Sequence, residues 1–257
     1  MIAAGWRGPL HLDLIEAGLL VTTGLIAGSL NTLAGGGSML SVPLLVALGL
    51  PGDIANGTNR IGILFQSGVA TWRFRRSGIP GLAQAWPLLV PVALGSVIGA
   101  FIASRLPSED FERIFGVVMV ALLIPILRKP REPDAPQARA WPVWVQSAVF
   151  LAIGLYGGFI QAGVGLLLML ALSRTGYDLV RINSIKVVVV GVLTALAIPV
   201  FVLKGQVAWW PALCLTLGFA LGGALAVRWT LLGGERLIRI ALIAAVLVLA
   251  GRMLGLY

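Results

Sequence analysis

Apolar residues in this chain fall in long unbroken runs rather than in alternation, and most runs are about as long as a bilayer is thick. A helix needs roughly 20 apolar residues to cross about 30 Å of hydrocarbon. Runs bounded by charges or prolines lie at about 12–34, 54–72, 81–104, 110–127, 143–162, 179–203, 208–228 and 235–256. Two more, about 38–50 and 165–173, are too short; at 1.5 Å per residue the first reaches roughly 18 Å. Each short run follows a glycine-rich break, Ala34-Gly35-Gly36-Gly37 or Gly157-Gly158 through Gly163-Val164-Gly165. The pattern predicts an all-α, polytopic transmembrane bundle of about eight full spans plus two half-helices.

The two halves repeat. At an offset of 127, Gly36 falls on Gly163, Leu40 on Leu167, Gly49 on Gly176 and Asn56 on Asn183. At 123, LGSVIGAFIASR (94–105) lies over LGFALGGALAVR (217–228), and at 126 Glu109, Arg113 and Ile114 fall on Glu235, Arg239 and Ile240. Blocks in the same order at nearly equal offsets indicate an internal duplication, with residues 1–128 as first repeat, 143–257 as second and 129–142 as linker. Most of the linker lies in RKPREPDAPQAR (128–139), whose three prolines and six charges belong outside a membrane.

Composition agrees with the runs. The 257 residues are 58% hydrophobic and 11% charged, against about one-quarter charged in globular chains. Nineteen Lys+Arg against ten Asp+Glu give +9. On so apolar a chain, scattered arginines describe basic cytoplasmic loops rather than a nucleic-acid surface. Placing the Arg73, Arg75 and Arg76 loop and the linker inside puts twelve basic residues on cytoplasmic segments and five outside. Each repeat then crosses an odd number of times if its half-helix counts as one return leg. The repeats are therefore expected to be inverted, with both termini outside, in a multi-pass protein of a bacterial-type inner membrane. That arrangement suits alternating access around a midplane site. The start of the chain lacks a signal-peptide pattern, and the N-terminus is expected to be retained.

Several chemistries drop out. The single Cys214 forbids an internal disulfide, and one histidine, His11, leaves no cluster for zinc, haem iron or iron–sulfur. A serine hydrolase would need a histidine beside its serine, and His11 precedes the first apolar run. No enzyme activity, metal or cofactor is expected.

What remains points to a small anion. Three consecutive glycines would destabilise an ordinary helix, and in lipid a broken backbone is tolerated only where it is buried in protein or lines a cavity. The break at Gly35, Gly36 and Gly37 is expected to line a cavity. The helix starting at Ser38 would present backbone N–H groups and a positive dipole end to it, which attract an anion. The break at Gly163 and Gly165, beside Gln161, would aim a second N-terminus at the same place. The plainer alternative is that these glycines only permit close packing, as Gly95, Gly99, Gly218 and Gly222 are expected to do. Arg60 and Lys186 each follow a polar cluster, Asn56, Thr58 and Asn59 or Asn183 and Ser184, with no membrane-embedded carboxylate to pair with. A charge there is costly unless it faces a partner or water. Such cations read either as anion ligands or as side chains snorkelling to an interface. Gln66, Gln161 and Tyr156 are weaker candidates, polar groups within apolar spans that read equally as bridges between helices, and tryptophans near span ends form an aromatic belt.

AGGGSMLSVPLLVALGLPGDIANGTNR (34–60) and GLYGGFIQAGVGLLLMLALSRTGYDLVRINSIK (154–186) together resemble the TauE/SafE family of sulfite and organosulfonate exporters. The resemblance spans nearly the whole chain: the break, the Pro43 half-helix, the G-L-P turn at 49–51, the basic segment at 57–60, the linker, and G-Y-D-x-x-R-x-N at 176–183. Where that family often continues the second break as Gly-Pro-Gly-Thr-Gly, this chain reads Gln161-Ala162-Gly163-Val164-Gly165. The resemblance implies export of a sulfur oxyanion; composition and spacing alone reach only "small anion". With acids confined to span ends, transport driven by the membrane potential is expected. An anion channel and a non-transporting scaffold subunit are the alternatives. The expected partners are a small anion and the bilayer, with no nucleic acid and an open oligomeric state.

Overall fold

The computed structural model describes residues 13–127 and 141–232. Among them every regular element is helical: α1 (Leu14–Leu33), α2 (Ser38–Ala47), α3 (Gly52–Arg76), α4 (Leu82–Ala103), α5 (Ser108–Leu127), α6 (Val143–Phe159), α7 (Val164–Leu172), α8 (Leu179–Leu203) and α9 (Trp209–Leu232), with a 3-10 turn at Ser173–Thr175. Each predicted run up to residue 228 is one of these helices, and both short runs are the half-helices α2 and α7. The last run, 235–256, nearly all of the 129–142 linker and His11 lie outside the described residues.

Among the described residues, α1, α4, α8 and α9 are both long and apolar enough to cross a membrane. At 25 residues α3 is long enough, but it carries Asn56, Thr58, Asn59, Arg60 and Gln66, all buried. Its polar face points inward, while Phe65 and Trp72 are more than half exposed. Along α4 and α9 the exposed side chains include Trp86, Val90, Leu213, Leu217 and Leu221. An apolar exterior of this extent marks a surface solvated by hydrocarbon.

Local signals set the helix starts. Asp13 accepts from the Glu16 N–H at 2.8 Å while Glu16 reaches back to the Asp13 N–H, a reciprocal cap that begins α1. Asp178 caps α8 by a single bond, accepting from the Arg181 N–H at 2.8 Å.

Glycine brings α1 against α9 and α4 against α6, the most extensive helix pairs in the bundle. A Cβ on Gly218 would lie 2.1 Å from the Val21 carbonyl oxygen, and one on Gly95 would lie 2.2 Å from that of Leu151. Gly222 and Gly99 meet the Leu25 and Leu155 carbonyls equally closely. Small residues thus let backbones touch, the usual device where lipid supplies no hydrophobic drive between helices. The α4 and α9 sides of these interfaces are the two segments, 94–105 and 217–228, that match in sequence at an offset of 123.

The remaining contacts also come in pairs. On α3, Thr58 accepts from the Ala208 N–H at the start of α9 (2.9 Å); on α8, Ser184 donates to the Ile79 carbonyl just before α4 (2.6 Å). Thus α3 and α8 run through the middle, each gripping the other half. Leu20, Phe111, Phe115, Phe150 and Phe219 fill the main core around them.

Candidate functional site

The two breaks are built differently and touch each other. At the end of α1, Gly35 takes φ +77°, and its N–H and that of Ala34 bond back to the Leu30 and Asn31 carbonyls. This left-handed glycine closes the helix in the usual way. At the end of α6, Ile160 turns into extended backbone (φ −126°, ψ 119°), and Gly163 at φ +67° starts α7. Tyr156 donates to the Ala162 carbonyl and fixes this bend. Between the breaks, a Cβ on Gly35 would lie 2.3 Å from the Gly165 carbonyl carbon and one on Gly165 would lie 2.5 Å from the Gly35 Cα. These two glycines therefore leave no room for side chains, and the starts of α2 and α7 converge.

Neither start is capped by a side chain, although Ser38, Val164 and Gly165 are all buried. The first N–H groups of a helix lack intrahelical partners and require something at a buried end. Asn59 instead ties α2 to α3: its amide donates to Ser38 Oγ (3.1 Å) and accepts from Ser41 Oγ (2.5 Å).

Arg60 and Lys186 sit deep inside, at 0% and 1% exposure, which excludes snorkelling to an interface. Their backbone partners are carbonyls at helix ends of the opposite half. From α3, Arg60 donates to the Gly157 (3.0 Å) and Gly158 (2.6 Å) carbonyls at the end of α6 and to Gln161 Oε1 (2.7 Å). More distantly it reaches the Phe159 carbonyl and Asn56 Oδ1, both at 3.5 Å, and its guanidinium lies 4.6 Å from the Phe201 ring centre. Lys186, from α8, donates to the Thr32 carbonyl at the end of α1 (2.6 Å), to Asn183 Oδ1 (2.6 Å) and toward Met169 sulfur (3.7 Å). A cation is favourable at a helix C-terminus, where carbonyls and the negative dipole end converge. The expectation of wholly unpaired cations thus gives way: backbone carbonyls, which no side-chain pattern displays, receive them.

Carbonyls do not neutralise charge, so the positive field remains. The buried polar residues include these two cations and, among the described residues, no carboxylate. Among the described residues three buried donors have no acceptor, Arg60 Nε and Asn183 Nδ2 beside the breaks and the Ser67 hydroxyl away from them. Asn56, the counterpart of Asn183, is satisfied, its amide nitrogen donating to the Phe159 carbonyl at 3.1 Å.

The predicted residues therefore gather around the two breaks: Gly35, Gly36, Gly37, Ser38 and Asn59 at the first, Gln161, Gly163, Gly165, Asn56 and Arg60 at the second, with Asn183 and Lys186 reaching the end of α1. Sequence reasoning missed Asn31, Thr32 and Thr194. Gln66 accepts from Asn31 and donates to Thr32 Oγ1, both at 2.6 Å, and Gln161 donates to Thr194 Oγ1 at 2.6 Å. Each bond ties a broken helix to the central helix of its own half. Thr194 lies at the repeat offset from Ser67, one residue from Gln66, and that register was the available signal.

Paired broken helices inside an apolar-faced helical bundle define a polytopic membrane protein, and comparison with known proteins specifies its kind. The profile of the sulfite exporter TauE/SafE family matches residues 20–253, and the chain belongs to that family. It is 29% identical over 238 residues to the probable membrane transporter protein ORF9 of Sinorhizobium, covering 92% of this chain and 91% of that one. A probable membrane transporter protein of Haemophilus influenzae is 26% identical, covering 89% of each chain. The probable membrane transporter protein YfcA of Escherichia coli K12 is 24% identical, covering 92% of this chain and 89% of its own. No solved structure matches.

Proposed function

We propose that the chain is a secondary transporter that exports a small sulfur-containing anion, sulfite or an organosulfonate, by alternating access around the meeting point of its two breaks. One observation carries the reading: two buried, uncapped half-helix starts converge beside two cations, while Arg60 Nε and Asn183 Nδ2 lack acceptors and no carboxylate shares the interior. An anion is the acceptor that such a set of donors wants. The sulfur class rests on the family description.

In this reading the substrate takes hydrogen bonds from the backbone at Gly36–Ser38 and Gly163–Gly165, and from Asn183 and Arg60, while Gly35 provides the close approach between the breaks. Asn56, Asn59, Gln161 and Lys186 hold those groups in place and supply charge. The contact between Gly35 and Gly165 is then the closed point of the path, and separating α2 from α7 opens it. The paired contacts of α3 and α8 support two inverted repeats, 1–128 and 143–257. The Arg73–Arg76 loop and the 129–142 linker face the cytoplasm and both termini lie outside.

No coupling ion is invoked, because the described acids sit at helix starts and near interfaces. Asp13 and Asp178 are caps, and Asp53, near the start of α3, is held by Ser108 and by Gln206 at 2.9 Å. A monoanion leaving a cell negative inside gains about 2.3 kcal/mol per 100 mV. At roughly 150 mV that sustains about a 300-fold outward gradient.

The deciding experiment is flux of sulfite, sulfate, thiosulfate, sulfoacetate and chloride in proteoliposomes under a potassium–valinomycin potential. Uptake should saturate, favour the sulfur oxyanions, follow the potential and survive removal of sodium and of the proton gradient. Flux that ignores the potential and collapses with the proton gradient rules out the driving force; unsaturable chloride flux rules out the carrier. For topology, Asp134→Cys and Lys204→Cys on a Cys214→Ala background should label from opposite sides.

A further inference from the structure

A groove of about 410 Å³ opens between α3 and α8, away from the breaks. Its walls include Leu64, Val188 and Val192, and its rim carries Trp72 and Arg75. A Cβ at Gly68 would meet nothing within 4 Å, and one at Gly191 only Ser67 Cβ. From Ser67 to Arg75 the helix rises roughly 12 Å. At the rim a second cation, Arg76, lies 4.6 Å from the Trp72 ring centre.

The floor is the informative part. Ser67 is 1% exposed, lines this groove, and its hydroxyl has no partner. The reason lies in the repeat. At the offset that pairs Asn56 with Asn183, Ser67 falls on Thr194 and Ala34 on Gln161. In the second half Gln161 donates to Thr194; in the first half alanine stands where the amide would be. The asymmetry leaves a buried hydroxyl without a partner in one half only. Behind it Gln66 grips Asn31 and Thr32, and the Thr32 carbonyl holds Lys186.

We propose that this groove is a second anion subsite, a waystation between the Arg75 rim and the breaks, built for an organic anion with a short apolar body. The rim cations draw the charged head, the aliphatic walls take the body, and Ser67 donates to the head as it moves inward. An acyl chain would also fill an apolar groove, but it offers no acceptor, and leaving a buried hydroxyl unpaired is costly. The proposal rests on the transport reading above and adds where the substrate first binds.

Labelling tests it without requiring transport. In nanodiscs, with both faces open to reagent, Thr71→Cys on a Cys214→Ala background is treated with 2-sulfonatoethyl methanethiosulfonate and with its trimethylammonium analogue. Corrected for intrinsic reactivity, the anionic reagent should react about tenfold faster. Ethanesulfonate should slow it at least threefold, and Arg75→Gln should erase the preference. Equal rates, or rates indifferent to ethanesulfonate, overturn the proposal; so do rates that fall only as anionic lipid is added, which assign the groove to lipid. In proteoliposomes, Ser67→Ala should raise the half-saturation for ethanesulfonate about fivefold while its melting temperature holds or rises. A lower melting temperature with unchanged half-saturation would make Ser67 structural and overturn its role. Indifferent labelling alongside Arg60-dependent flux would sink the groove and spare the central site; responsive labelling without flux would do the reverse.

Discussion

The ends of α1 and α6 both precede a half-helix, and each is met by a cation from the opposite half of the chain, a lysine at α1 and an arginine at α6. At α1 the left-handed Gly35 returns the backbone on itself, so Leu30 and Asn31 carbonyls find N–H donors and Thr32 is left to Lys186. At α6 the chain leaves in extended conformation, and the Gly157, Gly158 and Phe159 carbonyls all turn to Arg60. One leftover carbonyl suits an ammonium, a compact point charge. Several diverging carbonyls suit a planar guanidinium with donors on both arms. Backbone closure at the break thus decides which cation is needed across from it.

The sharpest way to break this comparison is to remove each charge. Arg60→Gln strips two carbonyls, those of Gly157 and Gly158, of their donor in a dry interior, and at about 1–3 kcal/mol for each should cost about 2–6 kcal/mol. Lys186→Gln, which disturbs one carbonyl, should cost about 1–3 kcal/mol. Thermal unfolding in detergent measures both, and equal losses would show that the two ends are energetically alike. Both variants should also lose flux.

Next are the glycines. Gly35→Ala combines a left-handed φ with a clash against Gly165 backbone and should cost about 2–4 kcal/mol. Gly163→Ala has the same backbone strain, but its new methyl meets the movable Leu122 side chain at 2.5 Å, so about 1–2 kcal/mol is expected. A smaller loss at Gly35 than at Gly163 would argue that the breaks are not in contact.

Exchanging the cation isolates geometry from charge. Arg60→Lys keeps the charge and loses the fork, and should cost about 2 kcal/mol with a roughly tenfold loss of transport rate. Wild-type behaviour would mean that charge alone matters at α6.

The smallest effect compares the ties inside each half. Thr194→Ala unpairs the Gln161 amide and Thr32→Ala unpairs that of Gln66, each at about 1 kcal/mol. Similar losses would mark this layer as symmetric; a difference above about 1 kcal/mol would extend the asymmetry beyond the cations.

Run length, glycine and charge decided much from sequence. Among the described residues the apolar runs correspond to nine helices, because lipid forces each polar backbone group into a local bond, and only a helix does that within one segment. The half-helices were legible because each is a run too short to cross that follows a glycine-rich break, and in lipid a broken backbone has to be buried in protein or line a cavity. The candidate residues were legible because polar groups inside apolar runs have to serve a partner. The partners themselves were not. That Arg60 and Lys186 hold carbonyls of the opposite half and that Gly35 presses on Gly165 depend on packing two halves together. Backbone acceptors carry no residue name, and a clash between glycines exists only once both chain segments are in place.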